Sequence, residues 1–391
     1  MNGASPTVVR ANDAASLRPL FLLDPSVIYL NHGSFGACPI SVFETYQSWQ
    51  LELERNPVRF LKVRAAGLMA DARDALADYV GCPAKDCVFV PNATAGVYLA
   101  AQSLLPLLEA DDEIVMTDHE YQPCQTIWQE VSERTGVRLV VVPITIPYTT
   151  DDAFVEEFWA RVTPRTKIVF LSHITSITAL RFPVKAICAR ARAAGITSII
   201  DGAHAPGHVP LDIADIDPDF YGGSCHKWML APKGTGFLYV AEPYQAAMRP
   251  LFPSWGWREI ADFTVRHHEQ GTRDPAALLA VPEAIAFMRA YDWDSVRARS
   301  HELALRVRGA IHRLTGLAVL TPPTHFSQMC AIPLPQNLAA DAIKEVLFER
   351  YRIEAPVHAL NGRPYLRVSI QGYNDDHDAD ALIRAMEELL A

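Results

Sequence analysis

Short runs of consecutive apolar residues, each closed by a small or polar cluster, recur from residue 87 to residue 240: "CVFVPN" at 87–92, "EIVMTDH" at 113–119, "RLVVVPI" at 138–144, "KIVFLSH" at 167–173, "ITSIIDG" at 196–202 and "GFLYV" at 236–240. Between them the apolar spacing becomes helical, as in "AFVEEFWARV" (153–162) and "VKAICARARAAG" (184–195). A strand that is apolar on both faces has no solvent side, so its alternation with helices predicts a mostly parallel sheet covered on both faces. Beyond about residue 285 the texture changes. A long helical pattern, "SVRARSHELALRVRGAIHRLTG", ends at Gly316; strand-like "MCAIPLP", helical "AADAIKEVLFERY", strand-like "YLRVSIQGY" and a helix from Asp376 follow. This mixture predicts a smaller α+β unit. The expected organisation is an N-terminal arm over 1–28, a large domain over 29–285 and a small C-terminal domain over 286–391.

Composition narrows the function classes. Half of the 391 residues are hydrophobic, ample for a large core. The net charge is -10 and the 35 Lys and Arg residues are scattered, which argues against a nucleic-acid partner. The stretch "MNGASPTVVRANDAASLRPL" lacks an apolar signal core, and no run approaches the roughly 18 apolar residues of a membrane span. A cytoplasmic protein without a membrane partner is expected. The seven cysteines (Cys38, Cys82, Cys87, Cys124, Cys188, Cys225, Cys330) are odd in number and form no CxxC pair, so free thiols are expected, with neither a disulfide framework nor a metal site.

In open parallel sheets chemistry collects at the carboxyl ends of the strands. The strand at 196–202 delivers Asp201 there, followed by Ala203 and His204. The strand at 87–90 leads into "NATAG", where small residues around Thr94 allow backbone N–H groups to approach a phosphate at a helix N-terminus. The segment "YGGSCHKWML" (221–230) places Lys227 among small and aromatic neighbours. A strongly hydrated lysine there needs a special role, such as a Schiff base with an aldehyde cofactor. A lysine, a carboxylate and a phosphate cradle on one rim match the needs of pyridoxal phosphate, whose pyridine nitrogen is kept protonated by an acid. No GxGxxG follows any strand, which disfavours a nicotinamide enzyme.

The segments "YLNHGSFGACP" (29–39), "ERNPVRFL" (54–61), "DGAHAPGHVPLDI" (201–213), "GGSCHKWMLAPKGTGFLYV" (222–240), "EQGTRDPAAL" (269–278) and "RVSIQGYN" (367–374) run along nearly the whole chain. In them the chain resembles the fold-type I pyridoxal-phosphate enzymes of the class V aminotransferase superfamily, and most of all the isopenicillin N epimerase-like group. The resemblance implies an α/β fold with a large domain on a mostly parallel, seven-stranded type of sheet and a smaller C-terminal α+β domain. It implies pyridoxal 5'-phosphate as cofactor, Lys227 as the Schiff-base lysine, Asp201 as partner of the pyridine nitrogen and His204 as neighbour of the ring oxygen. Thr94, flanked by Ala93 and Ala95, would hold the phosphate with Ser224 and His226, completed by Thr272 from the other subunit of a homodimer with shared sites. Arg367 would bind the substrate carboxylate, with Asn31 and His32 nearby, and Ser176 stands where relatives carry an asparagine. A flat side chain should stack on the ring from the loop after residue 117, where His119, Tyr121 and Gln122 are the candidates and either Tyr121 or Gln122 is favoured.

The reaction is less constrained than the cofactor. A desulfurase needs a nucleophilic cysteine shortly before the carboxylate arginine, and "IEAPVHALNGRPYLRVS" (353–369) has none; His358 and Arg363 there are candidate selectors of the substrate side chain. Epimerisation or racemisation at the α-carbon of an amino-acid-type substrate is the leading expectation. A C–S β-lyase of the ergothioneine-pathway type and an aminotransferase are the alternatives, and a cofactor-binding protein without turnover is disfavoured by the complete set Lys227, Asp201, Thr94 and Arg367.

Overall fold

The computed structural model describes residues 10–254 and 256–391; the first nine residues of the expected N-terminal arm lie outside the described residues. Seven strands form the main sheet: β1 (Cys87–Val90), β2 (Glu113–Thr117), β3 (Arg138–Val142), β4 (Thr166–Ser172), β5 (Thr197–Gly202), β6 (Phe220–Ser224) and β7 (Gly236–Val240). Their order is β1-β7-β6-β5-β4-β2-β3. All neighbours from β6 to β3 run parallel, whereas β7 pairs antiparallel with both β6 and β1.

The period-two geometry of a strand sends alternate residues to opposite faces, and both faces are buried. Ile114 and Met116 of β2, Ile168 and Phe170 of β4, and Ile199 of β5 join one hydrophobic cluster, while Val115, Val169, Leu171 and Ile200 join the other. Each such side chain contributes about 1.5–3 kcal/mol when fully buried. The apolar run of β3 departs from the expected two-sided burial, with Val141 50% exposed, because β3 is an edge strand. Burial is therefore decided by position in the sheet as well as by composition.

A three-stranded antiparallel sheet of order β9-β10-β8 lies in the C-terminal part, from β8 (Met329–Pro333), β9 (Val357–Leu360) and β10 (Arg363–Ser369). With the helices Trp293–Thr315, Ala340–Tyr351 and Asp376–Leu390 it encloses a third cluster that includes Val307, Ile332, Leu347, Leu366 and Leu382. Leu30, far away in sequence, belongs to this cluster too. Ile28–Tyr29 pairs in parallel with Ile353–Glu354, and the Ser369 amide donates to the Leu30 carbonyl at 2.8 Å. This pairing brings the 31–36 segment beside Arg367. No described helix is long and apolar enough to cross a membrane, and all seven cysteines are free thiols.

Candidate active site

The carboxyl ends of β1, β2, β4, β5 and β6 surround a cavity of about 310 Å³ whose wall includes Thr94, Tyr121, Asp201, His204, His226 and Lys227. The loop after β6 carries Lys227 beneath residues 33–36. A Cβ added at Gly36, where φ is +70°, would lie 2.2 Å from the His226 carbonyl oxygen, so only glycine permits this approach. His32 braces the same loop at the Lys227 carbonyl.

Lys227 Nζ lies 3.2 Å from His204 Nε2, and Trp228 Nε1 donates to His204 Nδ1 at 3.3 Å. An Nδ1 that accepts leaves the proton on Nε2, facing the lysine, and burial together with the Lys227 charge pushes the His204 pKa down. Burial lowers the Lys227 pKa to about 8, with Asp201 opposing that shift. The amine is thus neutral, and nucleophilic, within reach of ordinary pH. The rate at which cofactor-free protein forms its imine with added pyridoxal phosphate is expected to rise with pH up to about 8 and level off above it, as stopped-flow absorbance would read. A rate that is flat from pH 6 to 10 would contradict the lowered pKa.

Asp201 is 3% exposed; its Oδ1 accepts the Ala203 amide at 2.9 Å, while Oδ2 meets only the Cys124 thiol at 3.5 Å. Burial raises its pKa, opposed by the Ala203 hydrogen bond and the Lys227 charge. A buried carboxylate with so weak a donor on one oxygen is built for a buried cation, and a protonated pyridine nitrogen fits that need.

At the end of β1, the helix Ala93–Leu104 starts at Asn92, whose side chain accepts the Ala95 amide at 2.9 Å. The Ala93 amide donates to Ser224 Oγ at 3.3 Å. A Cβ at Gly236 would lie 2.8 Å from Asn92 Cα, so glycine lets the helix start press onto the sheet. His226 donates from Nδ1 to the Thr235 carbonyl at 2.8 Å, leaving Nε2 for a ligand. Thr94, Ser224 and the helix start form a cradle of donors suited to a phosphate dianion, with His226 on the same wall.

Arg367 of β10 is 2% exposed. Its Nη1 donates to the Ser176 carbonyl at 2.7 Å and its Nη2 to Ser34 Oγ at 2.6 Å, whereas Nε has no partner. Among the described residues no carboxylate lies within 4 Å of it, and burial lowers its pKa to about 10. Ser34 and Ser176, which hold the guanidinium, line the cavity.

Nine of the expected cofactor residues line one wall: Ala93, Thr94, Tyr121, Ser176, Asp201, His204, Ser224, His226 and Lys227. Others do not. Ala95 gives only its amide to the cap at Asn92. Gln122 is the exposed first residue of the helix Gln122–Thr135, so of the two favoured stacking candidates Tyr121 alone reaches the wall. Asn31 meets Arg367 Nη2 at 3.4 Å and Ser34 Oγ at 2.6 Å, behind the cavity. His32 corrects the expectation of a substrate contact: its ring nitrogens bond the Tyr373 hydroxyl at 2.9 Å and the Lys227 carbonyl at 3.1 Å, so it supports the lysine's backbone. Thr272 lies in a separate pocket with Lys62, His268 and Arg273. His358 keeps a buried Nε2 without a partner, its pKa lowered to about 4 by burial and by Arg367.

Sequence reasoning missed Glu120. Its carboxyl is buried next to Asp201, with Oε1 at 2.5 Å from the Thr117 hydroxyl and Oε2 accepting the Ser172 amide at 2.8 Å and hydroxyl at 2.7 Å. Burial raises its pKa from 4.5 to about 8. The folded state therefore binds a proton that the unfolded chain loses near pH 4.5. The associated stability is present at low pH and fades as pH rises towards 8. Glu120→Gln is expected to gain stability relative to the parent protein across that window in denaturant titrations; a constant difference from pH 5 to 8 would contradict a neutral Glu120. Glu120→Ala, which leaves the Ser172 and Thr117 groups unpaired, should cost about 1–3 kcal/mol for each orphaned donor.

A half-buried lysine beside a buried acid and a phosphate cradle, all at the strand ends of this sheet, define a pyridoxal-phosphate-dependent enzyme of fold type I. Residues 28–382 match the Aminotransferase class-V family model, and the chain belongs to that family. It is 36% identical over 392 residues to the isopenicillin N epimerase of Amycolatopsis lactamdurans, covering 96% of this chain and 98% of that protein. It is 26% identical to the hercynylcysteine sulfoxide lyase of Schizosaccharomyces pombe, covering 92% and 93% of the two chains. Among solved structures it matches a cysteine desulfurase from Thermococcus onnurineus NA1 with a TM-score of 0.85 at 20% identity, covering 98% of this chain and 99% of that one, a likeness of fold.

Proposed function

We propose that the protein is an epimerase or racemase that inverts the α-carbon of an amino acid or amino-acid-derived substrate. The carrying observation is Arg367, a buried guanidinium without a carboxylate partner among the described residues, whose two serine neighbours line the cavity that holds Lys227. A substrate carboxylate supplies the missing counter-ion, and a planar two-donor fork suits it. Bound pyridoxal phosphate supplies an electron sink that weakens a bond at the α-carbon. Lys227 anchors the cofactor and moves the α-proton, Asp201 holds the pyridine nitrogen protonated, His204 faces the ring oxygen, and Thr94, Ser224 and His226 hold the phosphate. The likeness to an isopenicillin N epimerase over nearly the whole chain supports inversion ahead of C–S lysis, for which the matched relative is more distant.

The working unit in this proposal is a cytoplasmic homodimer in which Thr272 of each subunit completes the neighbour's phosphate site. Its placement in a pocket apart from its own Lys227 supports that role, as do the exposed apolar side chains of Phe35, Leu51, Val58 and Val63. Each subunit is divided into the arm 1–28, a large domain 29–285 and a small domain 286–391. Chiral chromatography of cofactor-loaded protein incubated with isopenicillin N, free L-amino acids and S-substituted cysteines tests the proposal. Formation of the opposite stereoisomer without keto acid is expected. Pyruvate and ammonia from the sulfur substrates alone would overturn it in favour of a β-lyase.

A further inference from the structure

Inversion requires a proton to leave one face of the α-carbon and another to arrive on the opposite face. The inference below rests on the proposed epimerase function and concerns the second proton. Five titratable side chains line the cavity: Tyr121, Asp201, His204, His226 and Lys227. Three are committed elsewhere. Asp201 bonds the Ala203 amide and the Cys124 thiol, at the end suited to the pyridine nitrogen. His204 is clamped between Trp228 Nε1 and Lys227 Nζ, so it stands on the same side as the lysine. His226 is tied to the Thr235 carbonyl within the phosphate cradle.

Tyr121 remains, and the sheet order places it across the cavity. Lys227 follows β6 and Tyr121 follows β2, with β5 and β4 between them in the order β6-β5-β4-β2. At about 4.8 Å per strand the two bracketing strands lie roughly 14 Å apart, enough for a flat ring and its substrate between the two side chains. Lys227 and Tyr121 line one cavity with Ser34 and Ser176, the two serines that hold the Arg367 guanidinium where a substrate carboxylate would bind. We infer that the Tyr121 hydroxyl delivers the proton to the α-carbon on the face opposite Lys227.

The step balances without a further reactant. The α C–H bond breaks and its proton passes to Lys227 Nζ, while the electron pair stays with the carbon and the group conjugated to it. The Tyr121 O–H bond then breaks as a new C–H bond forms on the other face; the phenolate takes a proton from water, which reaches it because Tyr121 is 41% exposed, and Lys227 Nζ gives its proton back to the hydroxide so formed, which resets both groups. Burial, with Cys124 and Asp201 adding to it and Arg367 opposing, raises the phenol pKa, so the group carries its proton at neutral pH.

Tyr121→Phe keeps the aromatic face and removes only the hydroxyl. Cofactor-loaded protein is incubated in D2O with isopenicillin N and free L-amino acids, and proton NMR follows the α-proton while chiral chromatography follows the product. For a substrate that the parent protein inverts, the variant should exchange the α-proton for deuterium with retention, within about threefold of the parent rate. Inversion should fall by about 10²–10⁴-fold, the contribution of a positioned acid or base. Absorbance titration of the cofactor-free variant with pyridoxal phosphate should give an affinity within about threefold of the parent. Inversion by Tyr121→Phe at the parent rate would overturn the inference and leave the proposed function standing. A large loss of cofactor affinity would overturn it as well, by assigning the hydroxyl to cofactor binding. Absence of inversion by the parent protein with every probe would defeat the proposed function and this inference together.

Discussion

Replacing Lys227 with alanine is expected to remove the Schiff-base absorbance band of the cofactor-loaded protein, leaving only that of the free aldehyde, and to lower turnover by at least about 10³-fold, since the side chain is both the covalent anchor and a proton carrier. Its half-buried Nζ is held near His204, and desolvation brings its pKa towards the neutral range. The nearest competitor is Lys233 in the same loop. That amine donates to the Gly36 carbonyl at 2.9 Å, behind the 31–36 segment, and does not line the cavity. Pyridoxal phosphate should still bind the variant noncovalently, because Asp201, Thr94, Ser224 and His226 are untouched. Retention of the Schiff-base band in Lys227→Ala, read by ordinary spectrophotometry, would move the anchor to another lysine.

Arg367→Lys should lower kcat/KM by roughly 10²-fold or more, about 2–3 kcal/mol, with most of the loss in KM. The lysine keeps the charge but presents no planar fork, so the loss reads geometry as well as charge. Folding stability separates this role from a structural one. Among the described residues Arg367 has no acidic partner to lose, and its buried charge is a cost to the empty protein. Unfolding free energy should therefore change by less than about 2 kcal/mol, the scale of the hydrogen bonds to Ser34 and the Ser176 carbonyl. Unchanged kinetics with a large loss of stability would make Arg367 a structural residue.

The strands of the main sheet were legible because burial on both faces writes a continuous apolar run, as in "KIVFLSH" for β4. The same rule overstated β3, where the run "RLVVV" sits at an edge and shows Val141 to solvent. Asp201 and Lys227 were legible for a related reason: strand ends are where polar residues in an apolar setting have no structural excuse. Glu120 was not, because a glutamate just past a strand reads as a solvated loop residue, and only the fold places Thr117 and Ser172 around its carboxyl. The neighbourhood of Arg367 was equally hidden. It depends on the two-residue pairing of Ile28–Tyr29 with Ile353–Glu354, too short to leave a periodic signal and spanning most of the chain. His32 shows the converse error, a histidine in a functional segment whose two nitrogens are both spent on structure. The choice between Tyr121 and Gln122 turned on one residue of helix boundary, with Tyr121 as cap facing the cavity and Gln122 already in the helix.

The most direct test of the covalent site is chemical. Cofactor-loaded protein is reduced with borohydride, digested and analysed by peptide mass spectrometry. A single pyridoxyl adduct on the peptide carrying Lys227, absent from Lys233, is the predicted result. An adduct on any other lysine, or none with the cofactor bound, would contradict the assignment of Lys227 on which the proposed reaction depends.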